Sequence, residues 1–327
     1  MDPLSDVLSL LKPRSYSAGA FDVAGEWSIQ FPQHQGIKCY AVVSGHCWLS
    51  VEGTPGAVRL ETGDCFLLPS GRPFRLASDL TLAPVDARTI FPRARGSIVS
   101  FHGGGDCFIV GGHFLLTGSH AGILLGVLPA IVHLRTESDK EALRWSLERM
   151  RQEVREQRPG GFLVAQHLAY TMLVQALRLH LEEGQEQGLT GRVGWLFALR
   201  DKQMSAAIQS MHDDPAHRWT LQKLAERVGM SRSIFALKFK QTVGTTPMEY
   251  LTRWRMLLAG DRLTNSRDRI SAIAHSLGYE SESAFSKAFK KVMGRSPREY
   301  SRSDNPASPS HSAGEDTRAN RLELLAG

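Results

Sequence analysis

The chain has 327 residues, enough for two domains, and its 42% hydrophobic and 22% charged residues are an ordinary globular composition. No apolar run approaches the roughly 20 residues needed to cross a bilayer. The N-terminus, MDPLSDVLSLLKPRS, has no basic stretch before its short apolar run, so it does not resemble a signal peptide. We therefore expect a cytoplasmic protein without a membrane partner.

The positive charge of the chain is concentrated in one region. The formal net charge is +6, but residues 206–302 contain 17 Lys or Arg against 9 Asp or Glu, a balance of +8. Clustered basic residues attract polyanions such as nucleic acid. Taken alone, such a surplus is equally typical of an ordinary solvated surface.

Residues 20–118 alternate short β-rich runs with Gly, Pro and Asp turns, as in CYAVVSG, CWLSVEG and CFIVGGHFLL. This pattern predicts an all-β barrel or sandwich within a domain of residues 1–135. The cysteines of this region show no CxxC spacing, which argues against a disulfide framework or a zinc ribbon. We interpret them as small buried hydrophobic residues rather than redox sensors; they are Cys39, Cys47, Cys65 and Cys107.

The pattern becomes helical from about residue 138, so residues 136–205 are predicted to form a helical connector that ends in a linker. Ser138-Asp-Lys-Glu141 has the form of a capping box, and a second helix is predicted from Phe162 to Glu183. The first helix carries an apolar stripe of Leu143, Leu147, Met150 and Val154. We interpret this stripe as a dimer seam; packing against the barrel within one chain is the alternative.

The most informative feature is an internal repeat. LAERVGMSRSIFALKFKQTVGTTPMEY (224–250) aligns with IAHSLGYESESAFSKAFKKVMGRSPREY (273–300), with nine identities in register after one inserted residue. In each copy a glycine, Gly229 or Gly278, is placed to end a helix, and a serine, Ser231 or Ser281, is placed to cap the next. Helix, tight turn and helix is the shape that presents its second helix to a DNA major groove.

The outward positions of the two second helices are candidate DNA contacts, provided that the phenylalanine pairs of the repeat face inward. The side chains placed to reach base edges are Ser233, Ala236, Leu237, Glu282, Ser283 and Lys287. Those placed to reach phosphates are Ser231, Arg232, Lys238, Lys240, Ser281, Lys290 and Lys291. Between the units, the capping box Thr246-Pro-Met-Glu249 opens a helix of about 15 residues that would hold the two recognition helices apart.

These residues resemble the AraC/XylS family of bacterial transcription regulators. The segments GMSRSIFALKFKQTVGTTPMEYLTRWRM and GYESESAFSKAFKKVMGRSPREYSR are similar to the tandem helix-turn-helix domain of that family. GDCFLLPSGRPFRL and CFIVGGHF are similar to its cupin-type effector domain. The resemblance implies a homodimeric regulator that responds to a small-molecule effector and acts on double-stranded promoter DNA with RNA polymerase. Residues 138–183 would then be the dimerisation segment.

The barrel departs from the metal-binding cupins. His34-Gln-Gly-Ile-Lys lacks their HxH pair, and Phe74 stands where their second-motif histidine would be, so we expect neither a metal, a cofactor nor an enzyme. The scattered histidines are interpreted as packing residues; they are His34, His46, His102, His113 and His120. The candidate effector-binding residues are Trp48, Arg72 and Arg75.

The sequence thus predicts a multidomain α+β protein: an N-terminal all-β cupin-like barrel, a helical connector, and a C-terminal all-α domain with two helix-turn-helix units over residues 206–302. Residues 303–327 are expected to be a disordered tail. The predicted function is sequence-specific regulation of transcription. A metal-cupin enzyme tethered to DNA and an architectural DNA binder without sequence preference are the alternatives. The identity of the effector, the target promoter, and activation versus repression remain open.

Overall fold

A computed structural model describes residues 2–11, 15–90, 97–115, 128–183 and 193–303. These residues form two compact units, one drawn from 13–116 and 128–187 and the other from 1–12 and 188–313. The first unit is β-rich with two long helices and the second is entirely helical, so the predicted fold class is confirmed. None of the helices among the described residues is long and apolar enough to span a membrane.

The β-rich unit contains two sheets. The strands are β1 Ser15–Val23, β2 Ser28–Phe31, β3 Ile37–Ser44, β4 Cys47–Val51, β5 Val58–Leu60, β6 Cys65–Leu68, β7 Phe74–Ala77, β8 Val85–Asp86, β9 Ile98–Phe101, β10 Cys107–Leu115 and β11 Val132–Leu134. The first sheet has the strand order β11-β6-β3-β10-β1-β9 and the second has the order β5-β4-β7-β2-β8. Within the described residues, β1 pairs with β9 and β2 pairs with β8 in parallel, and the other pairings are antiparallel. A short helix, α2 (Ala87–Ile90), follows β8.

The two sheets enclose one apolar core, because alternate residues along each strand point to the same side. Tyr40 and Val42 enter this core from β3, and Phe74 and Leu76 enter it from β7. Phe31 stacks on Phe74 with their ring centroids 4.3 Å apart. The four cysteines are buried too, as predicted for small hydrophobic residues.

Two long helices, α3 (Glu137–Glu156) and α4 (Gly161–Glu183), cover the outer face of the first sheet. The capping box that opens α3 is formed by Thr136 and Asp139, so the prediction that Ser138 and Glu141 form it is wrong. The backbone turns into the helix two residues earlier than predicted, which leaves Ser138 in its first turn.

The apolar stripe on α3 is covered within the chain. Leu143, Leu147, Met150 and Val154 are each at most 5% exposed. Because the helix packs against α4 and strands β1, β3 and β10, the alternative interpretation is correct and the stripe is not an open dimer seam. The exposed apolar side chain of α3 is instead Trp145, which is 71% exposed.

The helical unit contains the N-terminal helix α1 (Pro3–Leu11) together with the C-terminal helices. These are α5 Trp195–Ala198, α6 Lys202–Asp213, α7 Leu221–Arg227, α8 Arg232–Val243, α9 Pro247–Asn265, α10 Ile270–Ser276, α11 Glu282–Met293 and α12 Pro297–Ser303. Helix α1 packs on α6 and α9 within the helical unit, although its residues belong to the predicted sensor domain of residues 1–135. Leu4, Val7 and Leu8 supply the apolar face that holds it there.

The predicted boundary at residue 206 does not coincide with the start of a helix. The division between residues 205 and 206 falls inside α6, where Asp201 caps the helix by accepting from the amides of Gln203 and Met204. Most of the predicted linker, residues 184–192, and nearly all of the predicted tail, residues 304–327, lie outside the described residues.

Candidate nucleic-acid interface

The first helix-turn-helix unit consists of α7 and α8. Helix α7 ends in a turn at Gly229, whose φ of 66° is a left-handed conformation that glycine adopts readily. The amide of Met230 closes the turn by donating to the carbonyl of Ala225 at 2.9 Å. Ser231 then caps α8 by accepting from the amide of Ile234, as predicted.

The second unit, α10 and α11, repeats this local geometry. Gly278 has a φ of 80°, and the amide of Tyr279 donates to the carbonyl of Ala274 at 3.0 Å. A Cβ at Gly278 would lie 2.4 Å from the carbonyl oxygen of Ala216, so the position excludes larger residues on two grounds. Ser281 caps α11 by accepting from the amide of Ala284.

The phenylalanine pairs bury one face of each recognition helix. Phe235, Phe239, Phe285 and Phe289 are all 0% exposed. In both copies the second phenylalanine packs edge to face against the tyrosine at the end of the repeat. The ring centroids are 5.9 Å apart for Phe239 and Tyr250, and 5.4 Å apart for Phe289 and Tyr300. Because this face is anchored, the opposite face of each helix is turned to solvent.

One continuous helix, α9, connects the two units. Its 19 residues span about 29 Å, longer than the helix expected from the sequence. Tyr250 and Trp254 are buried near its start, while Met256 and Leu263 belong to the core of the second unit. The Thr246 and Glu249 capping box that opens it is present as predicted.

Polar contacts also fasten the second unit to the segment before α7. The Arg255 guanidinium donates to the carbonyls of Pro215 at 2.6 Å and His217 at 2.9 Å, and it lies 5.7 Å from the ring centroid of Tyr279. Arg218 pairs with Glu280 at 2.7 Å. The two recognition helices are therefore presented by one connected scaffold.

Most of the predicted DNA contacts lie on the two solvent faces. Among the base-edge candidates, Ala236 and Glu282 are half-buried, and the rest are exposed: Ser233, Leu237, Ser283 and Lys287. The exposed phosphate candidates are Ser231, Arg232, Lys240, Ser281, Lys290 and Lys291. The sequence thus located both faces, because the buried phenylalanines determine the phase of each helix.

Lys238 differs from the other phosphate candidates. Its ammonium lies 2.6 Å from the carboxylate of Asp201 and 3.1 Å from the side-chain oxygen of Gln203. Although partial burial raises the pKa of Asp201, hydrogen bonds from Lys238 and two backbone amides hold it below its ordinary value. Lys238 therefore ties α8 to the start of α6.

One exposed residue of this face was not among the sequence candidates. Ile234 is 59% exposed, and it lies one helical turn before Leu237, which is 61% exposed. The sequence could have indicated that Ile234 is exposed. It lies three residues before the candidate Leu237, and residues three apart share a face of a helix. Helix α8 thus presents two large apolar side chains to solvent beside its basic residues.

The predicted effector residues do not line the interior of the barrel. Trp48 lies between Cys47 and Leu49, both buried in the core, so its side chain points outward. Arg75 bonds to Ser28 on the outer face, and Arg72 is exposed, with its guanidinium donating to backbone carbonyls of the β4–β5 turn. The prediction failed because strand phase decides which side chains face a pocket.

Among the predicted packing histidines that the structure describes, one pair is brought together. His34 and His113 are buried with ring centroids 5.6 Å apart, whereas His46 and His102 are exposed. His120 lies outside the described residues. Within the described part of the chain, no three His, Cys, Asp or Glu side chains are grouped so that they could hold a metal ion.

Comparison with known proteins identifies both halves. Residues 2–182 match the cupin family model and residues 224–303 match a helix-turn-helix domain model. An AraC-like transcription regulator of Streptomyces antibioticus is 42% identical over 307 residues, which cover 94% of this chain and 100% of the relative. The transcriptional regulator AlkR of Acinetobacter baylyi is 29% identical over 92% of this chain and 99% of its own length.

A solved structure also matches the C-terminal part. The DNA-binding domain of AdpA, crystallised with a target DNA, is 26% identical over 31% of this chain and 95% of that domain, with a TM-score of 0.30. The sequence relatives over the full chain are regulators and not enzymes. The chain belongs to the AraC-like transcription regulators, with an N-terminal cupin domain and a C-terminal helix-turn-helix domain that binds DNA.

Proposed function

We propose that this regulator reads two adjacent major-groove segments of promoter DNA with α8 and α11, under the control of a small molecule bound in the barrel. The observation that carries the proposal is the pair of capped helices with exposed basic faces on the shared α9 scaffold. A rigid connection of this kind suits insertion into successive grooves on one side of the duplex, about 34 Å apart.

The two helices are expected to contribute differently to recognition. Helix α11 offers Ser283 and Lys287, which can form hydrogen bonds to base edges. Helix α8 offers one such side chain, Ser233, beside the apolar Ile234 and Leu237. Exposed lysines such as Lys240 and Lys290 would contact phosphates in both units. Base discrimination through hydrogen bonds would therefore come mainly from the second unit.

Regulation requires that a ligand favour one arrangement of the protein over another. We propose that the effector changes which pairs of half-sites a homodimer occupies, and that the dimer acts with RNA polymerase in the cytoplasm. We choose Trp145 to test for self-association, because its large apolar side chain is 71% exposed on the solvent-facing side of α3. Sedimentation of Trp145→Lys should show a monomer where the wild type is a dimer; Arg59→Ala, an exposed change on β5, should leave the dimer intact.

The experiment that tests DNA recognition is selection of bound sequences from a random pool at two salt concentrations. We expect enrichment of a site with two boxes about one helical turn apart. Binding that vanishes as salt rises, without any enriched sequence, would favour the architectural alternative, which depends on electrostatics alone.

Variants then assign the contacts on the selected site. Lys287→Ala should relax preference at one base position, at a cost of about 1–3 kcal/mol on the selected site and less on random DNA. Arg59→Ala again serves as the control, since it removes one exposed positive charge from the barrel unit. Equal losses for Lys287→Ala on selected and random DNA would show that Lys287 contacts phosphate instead of a base.

A further inference from the structure

A row of polar side chains crosses the inner face of the first sheet. Ser17 of β1 is paired with His113 of β10, and His113 is paired with Lys38 of β3. Lys38 precedes the core residue Tyr40 by two positions, so it points into the same interior. All three side chains are at most 5% exposed. Such a polar row is unusual within a core that is otherwise aromatic and aliphatic.

Lys38 is the member of this row whose burial is most costly. Its side chain is 0% exposed, and its Nζ has no hydrogen-bond partner among the described residues. The rings of Phe31 and Phe74 lie 5.3 and 5.4 Å from Nζ, and they can stabilise a cation through their faces. They cannot accept the three N–H bonds of an ammonium in the way that an anion would.

The neighbouring polar groups are also suited to an anion. The hydroxyl of Ser17 is buried without a hydrogen-bond partner in the described part of the chain. Burial and the nearby Lys38 and His113 lower the pKa of His34 to about 3, so its ring is neutral at pH 7. Burial also lowers the pKa of Lys38 to about 7. The protein thus places a titratable cation in its interior, and the described part of the chain supplies no counter-ion to it.

A small cavity lies beside this row, at the next inward-facing residue pair of β1 and β10. Gly19 is paired with Gly111, which is paired with Tyr40, and the cavity of about 10 Å³ lies beside these residues. His113 lines this cavity together with both glycines. A volume of this size holds one water-sized group, so small probes are the appropriate choice for a first test.

We propose that Lys38 binds an anion and that the effector of this regulator carries a carboxylate which pairs with the Lys38 ammonium inside the barrel. The inference rests on the proposed effector control, because it names the chemistry of the ligand. Ser17 and the His34–His113 pair line the same end of the barrel, where they would surround the carboxylate. A neutral ligand would leave the lysine unpaired, and a metal cation would be repelled by it.

Proton uptake is a specific consequence of this arrangement. A carboxylate beside Nζ favours the charged amine and therefore raises the pKa of Lys38. At a pH well above 7, the free protein holds Lys38 mostly neutral and the complex holds it charged, so binding takes up a proton from the buffer. The affinity for the carboxylate should fall as the pH rises above 7.

The test uses the full chain without DNA and sodium formate as the probe. Formamide serves as its neutral counterpart, sodium chloride as another small anion, and sodium HEPES holds the ionic strength constant. We expect saturating formate to raise the Tm of the barrel unit by on the order of 2–4 °C, and formamide to have no effect. Lys38→Met should abolish the response, whereas Arg59→Met, which removes an exposed charge from the same unit, should retain it. Equal responses of wild type and Lys38→Met, or chloride acting as strongly as formate, would overturn the proposal.

Calorimetry of the wild type keeps the proposal testable if Lys38→Met does not fold. Titration with formate at pH 8.5 in two buffers of different ionisation enthalpy should show uptake approaching one proton per bound formate. Binding without proton uptake, or no binding, would contradict the assignment. DNA selection is a separate measurement, so the two proposals can fail independently. Selection of a DNA site without formate binding would contradict only the carboxylate proposal. Formate binding without selection of a DNA site would contradict only the proposed reading of DNA.

Discussion

The carboxylate of Asp6 lies 3.3 Å from Nδ1 of His212, although 206 residues separate them in the chain. Nε2 of His212 lies 2.9 Å from the hydroxyl of Tyr250, and the imidazole stacks on the ring of Trp254 at a centroid distance of 3.7 Å. Because a carboxylate only accepts, Nδ1–H donates to Asp6 and Nε2 accepts from the tyrosine. This bond fastens the N-terminal helix to α6 and α9 of the DNA-binding unit.

The docking of α1 predicts that changes near the N-terminus destabilise the DNA-binding unit. Val7 is 1% exposed, so Val7→Ala should lower the free energy of unfolding by about 2 kcal/mol through lost apolar contacts. Urea denaturation followed by tryptophan fluorescence measures this change. Ser9→Ala, on the exposed side of the same helix, should change it by less than about 0.5 kcal/mol. Similar effects of the two variants would mean that α1 is not docked in solution.

His212 predicts a loss of stability in acid. Burial lowers its pKa from 6.5 to about 3, so between these values the unfolded chain binds the proton that the folded chain excludes. Stability from this group is therefore complete above pH 6.5 and declines as the pH falls, by up to about 1.4 kcal/mol per unit. Unfolding free energies between pH 7 and pH 4.5 should fall less steeply for His212→Phe than for the wild type. His34 is unchanged in both proteins and so does not affect the difference; parallel curves would refute the assignment.

The apolar face of α8 predicts a loss of affinity without a loss of stability. Ile234→Ala removes a side chain that is 59% exposed, so the Tm should be nearly unchanged. If Ile234 packs against a thymine methyl, affinity for the selected site should fall about fivefold, corresponding to about 1 kcal/mol. Met248→Ala, an exposed apolar change at the start of α9, is the matched control. Fluorescence anisotropy that shows equal affinities for Ile234→Ala and wild type would exclude this contact.

Lys238 and Lys240 are predicted to differ although they are two residues apart. Lys240 is exposed, so Lys240→Ala should reduce the slope of log K against log salt by about one. Lys238 is paired with Asp201, so Lys238→Ala should mainly destabilise the unit, by on the order of 1 kcal/mol, with a smaller change in slope. Binding titrations at several salt concentrations measure both slopes. A larger change in slope for Lys238→Ala would restore it as a phosphate contact.

The sequence by itself determined the helix-turn-helix units because their signals are local. A left-handed glycine and a serine cap act within four residues, and the spacing of Phe235 and Phe239 determines which face of α8 is buried. The same signals recur around Gly278 and Ser281. Repetition of a local pattern therefore predicted which face of each helix is exposed.

Only the tertiary structure decided the features that depend on distant partners. The pairing of Lys238 with Asp201, the docking of α1 through Asp6, and the covering of the α3 stripe all join segments far apart in the chain. The phase of the barrel strands likewise decided that Trp48 faces outward while Lys38 faces inward, since adjacent residues of a strand point to opposite sides. Periodicity along a chain predicts the existence of a buried face, but which segments cover it is decided by the folded topology.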